Sequence, residues 1–318
     1  MTAHATKGAR RSAYLGIALT IAGSVAFAGK PIIIKLAYQY DVDVMTLLAL
    51  RMMFSLPFFL AMALWAGRAP TPLTRRDWFA VVALGFVGYC LGSYLDLAGL
   101  QYISASLGRL ILYLYPTLVL ILSAFILKQA VTRRHLASLA LSYGGILLVF
   151  RSELALEGAL GQTLLGAFLV FAGAMTYAVY LVAGSRMIQK LGSVRFTAYA
   201  SIAATLFVMG TFFATHGPSR LAVAHEVYGL TLVLAVFSTV LPLWLMAEGL
   251  KRIGANQVSL VACIGPIATI ALAHLFLGEP VSSIQLAGAG LVLSGIVIIS
   301  LKPQAVTPIA ENSKPGTL

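Results

Sequence analysis

Residues 25–35 read VAFAGKPIIIK, and the reading of this stretch decides how many helices the chain has. Ala26-Phe27-Ala28 has the small-x-small form of a signal-peptide cleavage site. Lys7, Arg10 and Arg11 precede it, followed by an apolar run from Tyr14 to Val25. That is the order of a secretory signal. Cleavage after Ala28 would discard the run. Retention makes it the first of a series of spans, with Lys30 and Pro31 near its end.

Composition favours a series of spans. The chain has 318 residues, of which 60% are hydrophobic and 10% charged, and its mean hydropathy is +0.93. A soluble domain is usually about one quarter charged. Lys and Arg outnumber Asp and Glu by 22 to 10. A nucleic-acid binder clusters such charge on a soluble face. Here the basic residues punctuate long apolar runs, so the partner implied is the lipid bilayer and not nucleic acid. Cys90 and Cys263 both sit inside apolar runs and read as small buried hydrophobes.

A membrane-crossing helix needs about 20 mostly apolar residues. Ten such runs are predicted, at 14–34, 44–66, 78–99, 105–127, 134–150, 162–183, 196–215, 227–249, 257–277 and 284–301, with the fifth extending toward Arg133. Residues 1–13 form a basic N-terminal segment. The tail 302–318, rich in Pro, Ser, Thr and Lys, is expected to be disordered. With a cytoplasmic N-terminus, the inward segments carry Lys7, Arg10, Arg11, Arg68, Arg75, Arg76, Lys128, Arg133, Arg134, Arg186, Lys190, Arg195, Lys251, Arg252, Lys302 and Lys314. The outward segments carry only Lys35, Arg151 and Arg220. Such asymmetry predicts both termini in the cytoplasm of a cell whose inner membrane holds the protein.

The chain also repeats itself at a shift of 150 residues. Gly16 falls on Gly166, Ala22-Gly23 on Ala172-Gly173 and Gly99-Leu100 on Gly249-Leu250. Pro116 falls on Pro266, Leu136-Ala137 on Leu286-Ala287 and Gly145-Ile146 on Gly295-Ile296. The expectation is an all-α membrane protein of two five-helix repeats, 14–150 and 162–301. Five is odd, so the second would be inverted relative to the first, a plan that recurs among secondary transporters with a binding site near the midplane. The first run then has a partner in the sixth, and the AFA triplet is a mimic whose small residues let another helix approach.

Three stretches carry a resemblance to a known family: LALRMMFSLPFF at 48–59, ISASLGRLILYLYPTLVLILSAFIL at 103–127, and ANQVSLVACIGPIATIALAHLFLGEPVSSIQLAGAGLVLSGIVII at 255–299. Together with the two halves they resemble the EamA family of the drug/metabolite transporter superfamily, over about residues 14 to 301. The resemblance implies a ten-helix permease with alternating access and no cofactor. Its central cavity would be lined by helices 1, 3, 4, 6, 8 and 9, with 5 and 10 peripheral. Relatives carry amino acids, sugars, nucleotides, vitamins and drugs, and the reading adopted is export of amino acids or related compounds. Import of a small organic anion or vitamin is the alternative within transport. A lipid-handling or intramembrane enzyme is the alternative outside it, though the chain has no HExxH, GxSxG or Walker loop.

Charges inside spans are costly and need partners. Lys30 either snorkels or lines the outer vestibule. Arg51 is too deep to snorkel and reads as a structural tie or a ligand contact. Asp96 and Arg109 lie about one turn inside consecutive antiparallel spans and are expected to pair, as a structural tie, a gate, or a substrate-carboxylate site with Asp96 as proton carrier. Glu248 and Arg252 form an i,i+4 interfacial pair, and His274 near the outer end of the ninth span reads as packed or water-facing. Tyr113, at i+4 from Arg109, shares its face. Tyr94, Tyr115, Tyr177, Tyr180 and Trp244 are expected to bring rings to the cavity. Pro116 and Pro266 are candidate hinges at matching depth.

Overall fold

The computed structural model describes residues 2–66, 72–126, 132–157 and 160–300. The expected tail 302–318, and Arg68 and Lys128 of the basic loops, lie outside the described residues. Every regular element among those residues is helical: α1 (Thr2–Ala28), α2 (Lys30–Tyr38), α3 (Val44–Ala66), α4 (Arg75–Gly85), α5 (Gly92–Gly99), α6 (Ala105–Leu112), α7 (Tyr115–Ile126), α8 (Arg133–Glu157), α9 (Leu160–Leu191), α10 (Ser193–Thr215), α11 (His225–Ala235), α12 (Leu241–Ala262), α13 (Ile264–Leu277) and α14 (Ser283–Ser300). π-helical turns join α4 to α5 (Phe86–Leu91) and α11 to α12 (Val236–Val240), and a short 3-10 turn spans Pro218–Leu221.

Among the described residues, eight stretches are long and apolar enough to cross a membrane, the first being Ala13–Tyr38, and two shorter apolar helices follow at Ile264–Leu277 and Ser283–Ile298. The fifth stretch begins at Arg133, as its sequence suggests. The second half departs from the expected pattern at 250–256, where the chain stays helical through Ala262. Residues 250–262 contain no proline and one glycine, so nothing local stops the helix there.

The interruptions that do occur follow from proline. Its ring clashes with the carbonyl four residues back and supplies no N–H. Pro31 ends the regular run of α1 at Gly29, Pro116 sits just past the break between α6 and α7, and Pro266 just past the break at Cys263. The last two breaks are separated by 150 residues. So are the starts of the two π turns, Phe86 and Val236. Gly29 has no such counterpart, because α9 runs unbroken through the equivalent position 179.

Packing repeats at the same interval. α1 packs along α12, and α9 along α5. Gly16 meets Arg252 and Ile253, while Gly166 meets Tyr102 and Ile103. Gly23 faces the Pro242 carbonyl and Met246, while Gly173 faces the Gly92 carbonyl and Asp96. Every one of these partners is displaced by 150. α3 with α10, and α8 with α14, form the remaining large contacts between the two parts of the chain. At the α8–α14 crossing, a Cβ on Gly145 would lie 2.5 Å from the Gly288 carbonyl oxygen, and one on Gly288 would lie 2.6 Å from that of Gly145. Small residues at such crossings let helix backbones touch where hydrophobic driving force is absent.

Candidate functional site

The break at Gly29 makes residues 25–35 a junction. The Ala26 carbonyl accepts a hydrogen bond from Ser238 (3.1 Å), and the Ala28 carbonyl accepts one from Thr269 (3.1 Å). Ala28 is fully buried. The triplet that mimics a cleavage site is thus held by hydroxyls from the second half of the chain. After the break, α2 is fastened beside α5 and the connection that follows it: the Tyr38 hydroxyl donates to the Leu97 carbonyl (2.8 Å) of α5, and Lys35 Nζ to the Ile103 carbonyl (2.7 Å) just past it.

This placement brings Lys30 to Asp96. Their Nζ–Oδ2 distance is 2.6 Å and both side chains are buried. The carboxylate expected to pair with Arg109 therefore has Lys30 as its partner. Arg109 is across a small cavity of about 10 Å³, lined by Lys30, Pro31, Asp96, Leu100, Gly108, Arg109 and Leu112, with room for about one water. Arg109 is 2% exposed. Its guanidinium lies 4.5 Å from the Phe27 ring centre and 4.8 Å from that of Tyr113, and its Nη2 donates weakly to the Tyr113 hydroxyl at 3.5 Å. That hydroxyl donates in turn to the Ala262 carbonyl (3.4 Å), the group that Pro266 leaves without its helical donor. Gly265 makes the approach possible, since a Cβ there would collide with the Tyr113 hydroxyl.

Arg51, 6% exposed on α3, lies within electrostatic reach of Asp96 and Tyr89. Lys30 lies within reach of Asp96, Arg51 and Arg109 together. Nε and Nη1 of both arginines have no hydrogen-bond partner among the described residues. Lys30 and Arg51 thus share one carboxylate, and Arg109 stands within reach of Lys30.

A line of phenols runs within electrostatic reach of the two arginines. Tyr89 and Tyr180 meet edge-to-face at 5.1 Å, Tyr180 stacks near Tyr177 at 6.0 Å, and Tyr177 meets Tyr115 at 5.3 Å. Tyr115 lies within electrostatic reach of Arg109, as Tyr89 does of Arg51. Tyr89 and Tyr115 belong to the first half, and Tyr177 and Tyr180 to the second. Of the residues singled out in the sequence, Lys30, Arg51, Asp96, Arg109, Tyr113, Tyr115, Tyr177 and Tyr180 come together, and Tyr89 joins them.

Tyr94 and Trp244, equivalent under the 150-residue shift, are 42% and 59% exposed and stand apart from this group. Helix geometry gives the reason. Residues two apart are about 200° apart around a helix, so Tyr94 points away from the side Asp96 occupies. Elsewhere, Arg252 pairs with Glu248 as expected, and His274 Nδ1 lies 2.9 Å from the Glu279 carbonyl on an exposed face. At another edge of the bundle Lys190 bridges α9 to Asp77 of α4 at 2.6 Å.

Two carboxylates that sequence reasoning did not assign set the position of α6. Glu153 accepts from the Ser104 amide (2.7 Å) and hydroxyl (2.6 Å). Glu279, of the LGEP turn, accepts from the amides of Ala105 (2.7 Å) and Ser106 (3.2 Å) and from the Ser106 hydroxyl (2.8 Å). The N-terminal amides of a helix lack intrahelical partners and favour negative charge. Through Glu279 the second half holds the helix that carries Arg109. Glu279→Ala is expected to cost about 0.5–2 kcal/mol of stability, as loss of a cap does. A thermal unfolding midpoint equal to that of the unchanged protein would show that these bonds hold nothing.

Paired apolar helices around a buried site of charge and phenol define a multi-pass membrane permease. Comparison with known proteins places it. The EamA-like transporter family model matches twice, at residues 14–151 and 164–301, again 150 apart, and the chain belongs to this family. An uncharacterized transporter YcbK of Bacillus subtilis is 31% identical over 92% of this chain and 96% of its own length. An uncharacterized transporter YyaM of the same organism is 29% identical over 71% of this chain and 74% of its own. One solved crystal structure aligns with a TM-score of 0.59 at 17% identity, covering 93% of this chain and 97% of that one, and so shares the fold.

Proposed function

We propose that the protein is a secondary carrier of the cell's inner membrane that moves a small metabolite, with amino acids and related compounds as the first class and export as the direction. The observation that carries this reading is the buried site itself. It combines charge from the first half with rings from both, in a family of transporters. In this reading the chain crosses the bilayer ten times, as two inverted five-helix halves with both termini cytoplasmic, and the halves rock about the site. Pro116 and Pro266 would serve as hinges, and Asp96 would carry any coupled proton. The glycine crossings that recur at the 150-residue interval support the two-half arrangement. Tyr94 and Trp244 take part only if their exposed faces line the pathway in another conformation.

The surplus of cations favours the second reading, uptake of a small organic anion. Neither reading requires catalysis. Metabolite efflux and uptake, compared in cells with and without the protein and then by counterflow in reconstituted vesicles, decide between them. Arg109→Ala is expected to reduce counterflow to the level of empty vesicles, and Tyr94→Phe to leave it intact. Full transport by Arg109→Ala would remove the site from the mechanism.

A further inference from the structure

Charge balance at the site narrows the substrate. Lys30, Arg51 and Arg109 are each less than one tenth exposed, and among the described residues Asp96 is the carboxylate that acts on Lys30 and Arg51, while Arg109 only shares its cavity. A guanidinium does not escape burial by losing its proton. An unpaired cation at membrane depth is costly and marks a substrate or ion path. Asp96 is already engaged by Lys30 at 2.6 Å. Among the described residues, Arg109 Nε and Nη1 have no acceptor although the residue lines the cavity, and Arg51 Nε and Nη1 are in the same state nearby.

Three classes of ligand would fare differently here. A cation would add to the surplus and compete with Lys30 for Asp96. A zwitterion would leave the surplus unchanged. An oxyanion would lower it and supply the acceptors that the arginines lack. The cavity is the size of one water, so a larger ligand needs it to widen, as it would when the halves part.

Resting on the carrier reading above, but replacing its first substrate class by its second, we infer that the substrate is a small organic anion. Its acidic group, of carboxylate or phosphate chemistry, is held by Arg109 and drawn in by Arg51. Its flat body lies along Tyr115, Tyr177, Tyr180 and Tyr89. The same four rings, offered without the arginines, would suit a neutral or cationic aromatic equally well. The sign of the charge is therefore what the inference commits to.

Phenylpyruvate, phenylalanine and phenethylamine carry similar rings and differ in net charge, and phenyl phosphate exchanges the carboxylate for a phosphate. Binding of each to the full-length protein in detergent is read by calorimetry and by the shift in thermal midpoint. Phenylpyruvate or phenyl phosphate is expected to bind at least roughly tenfold more tightly than phenylalanine, with phenethylamine weakest. The better of the two anions identifies the acidic group. Arg109→Gln should lose that preference, and Arg109→Lys should keep part of it. If Arg109→Gln does not fold, the order among ligands on the unchanged protein still decides. Equal or tighter binding of phenylalanine or phenethylamine, or no anion binding at millimolar concentration, overturns the inference. Counterflow in vesicles separates it from the carrier reading. An anion that binds but is never moved sinks the carrier and leaves the site, whereas accumulation of a zwitterion or cation keeps the carrier and sinks the anion.

Discussion

Asp96→Asn is expected to be the most destabilising single change at the site, costing about 3–5 kcal/mol, because it strands a buried charge without its partner. The carboxylate is the counter-charge to Lys30 directly and to Arg51 at longer range. Its loss leaves Lys30 within reach of two buried arginines and without its carboxylate. Lys30→Met is expected to be milder, since Asp96 still answers Arg51. The telling comparison is the double variant. In the unchanged protein Lys30 is held by Asp96 and its removal destabilises. In the Asp96→Asn background Lys30 is one cation too many and its removal stabilises. The same substitution therefore changes sign between backgrounds, which independent sites never do. Thermal unfolding of the four proteins in one detergent measures this. Equal cost of Lys30→Met in both backgrounds would falsify the account of Asp96 as shared counter-charge. Because a bound anion would take over part of that role, Asp96→Asn should also gain more from phenylpyruvate than the unchanged protein does.

The helices were legible in the sequence because a bilayer demands about 20 apolar residues at a time. The internal repeat was legible because breaks and close crossings are fixed by proline and glycine, and these stand 150 residues apart at Pro116 and Pro266, Gly16 and Gly166, Gly99 and Gly249. Arg109 with Tyr113 was legible as an i,i+4 pair. What was not legible came from approaches between helices distant in sequence. Asp96 and Arg109 share a tight connection, which favoured pairing them. Yet Tyr38 ties α2 to α5, Lys35 ties it to the connection after α5, and together they deliver Lys30 first. Nothing local at residue 30 announces this. Tyr94 could have been set aside from its position two residues from Asp96. Glu279 was visible within LGEP, but its role depends on where the second half meets the start of α6.

Gly99→Ala is expected to destabilise by about 1–3 kcal/mol, as overpacking does, and Gly249→Ala by clearly less, although the two glycines occupy equivalent crossings. The difference lies in what the added methyl meets. At Gly99 it would stand 2.7 Å from the Gly166 carbonyl oxygen, 3.0 Å from the Val170 amide nitrogen and 2.5 Å from Val170 Cγ2. Backbone cannot turn aside, so α5 and α9 must separate. At Gly249 the collision is with the Thr20 hydroxyl, while the Gly16 carbonyl oxygen is 3.2 Å away. Rotation of Thr20 relieves the clash for the loss of its hydrogen bond to the Gly16 carbonyl (2.8 Å). Function should follow the same order. Gly99 lies three residues past Asp96, on the helix whose position sets the Lys30 contact, so parting α5 from α9 pulls at the ion pair and at the Tyr177–Tyr180 side of the site together. Gly249 lies at a crossing whose partner helix α1 bears no charge within the site. Unfolding midpoints and vesicle counterflow, measured on both variants, test this. Equal damage from the two substitutions would mean that helix spacing, and not the backbone contact at Gly99, sets the tolerance of these crossings.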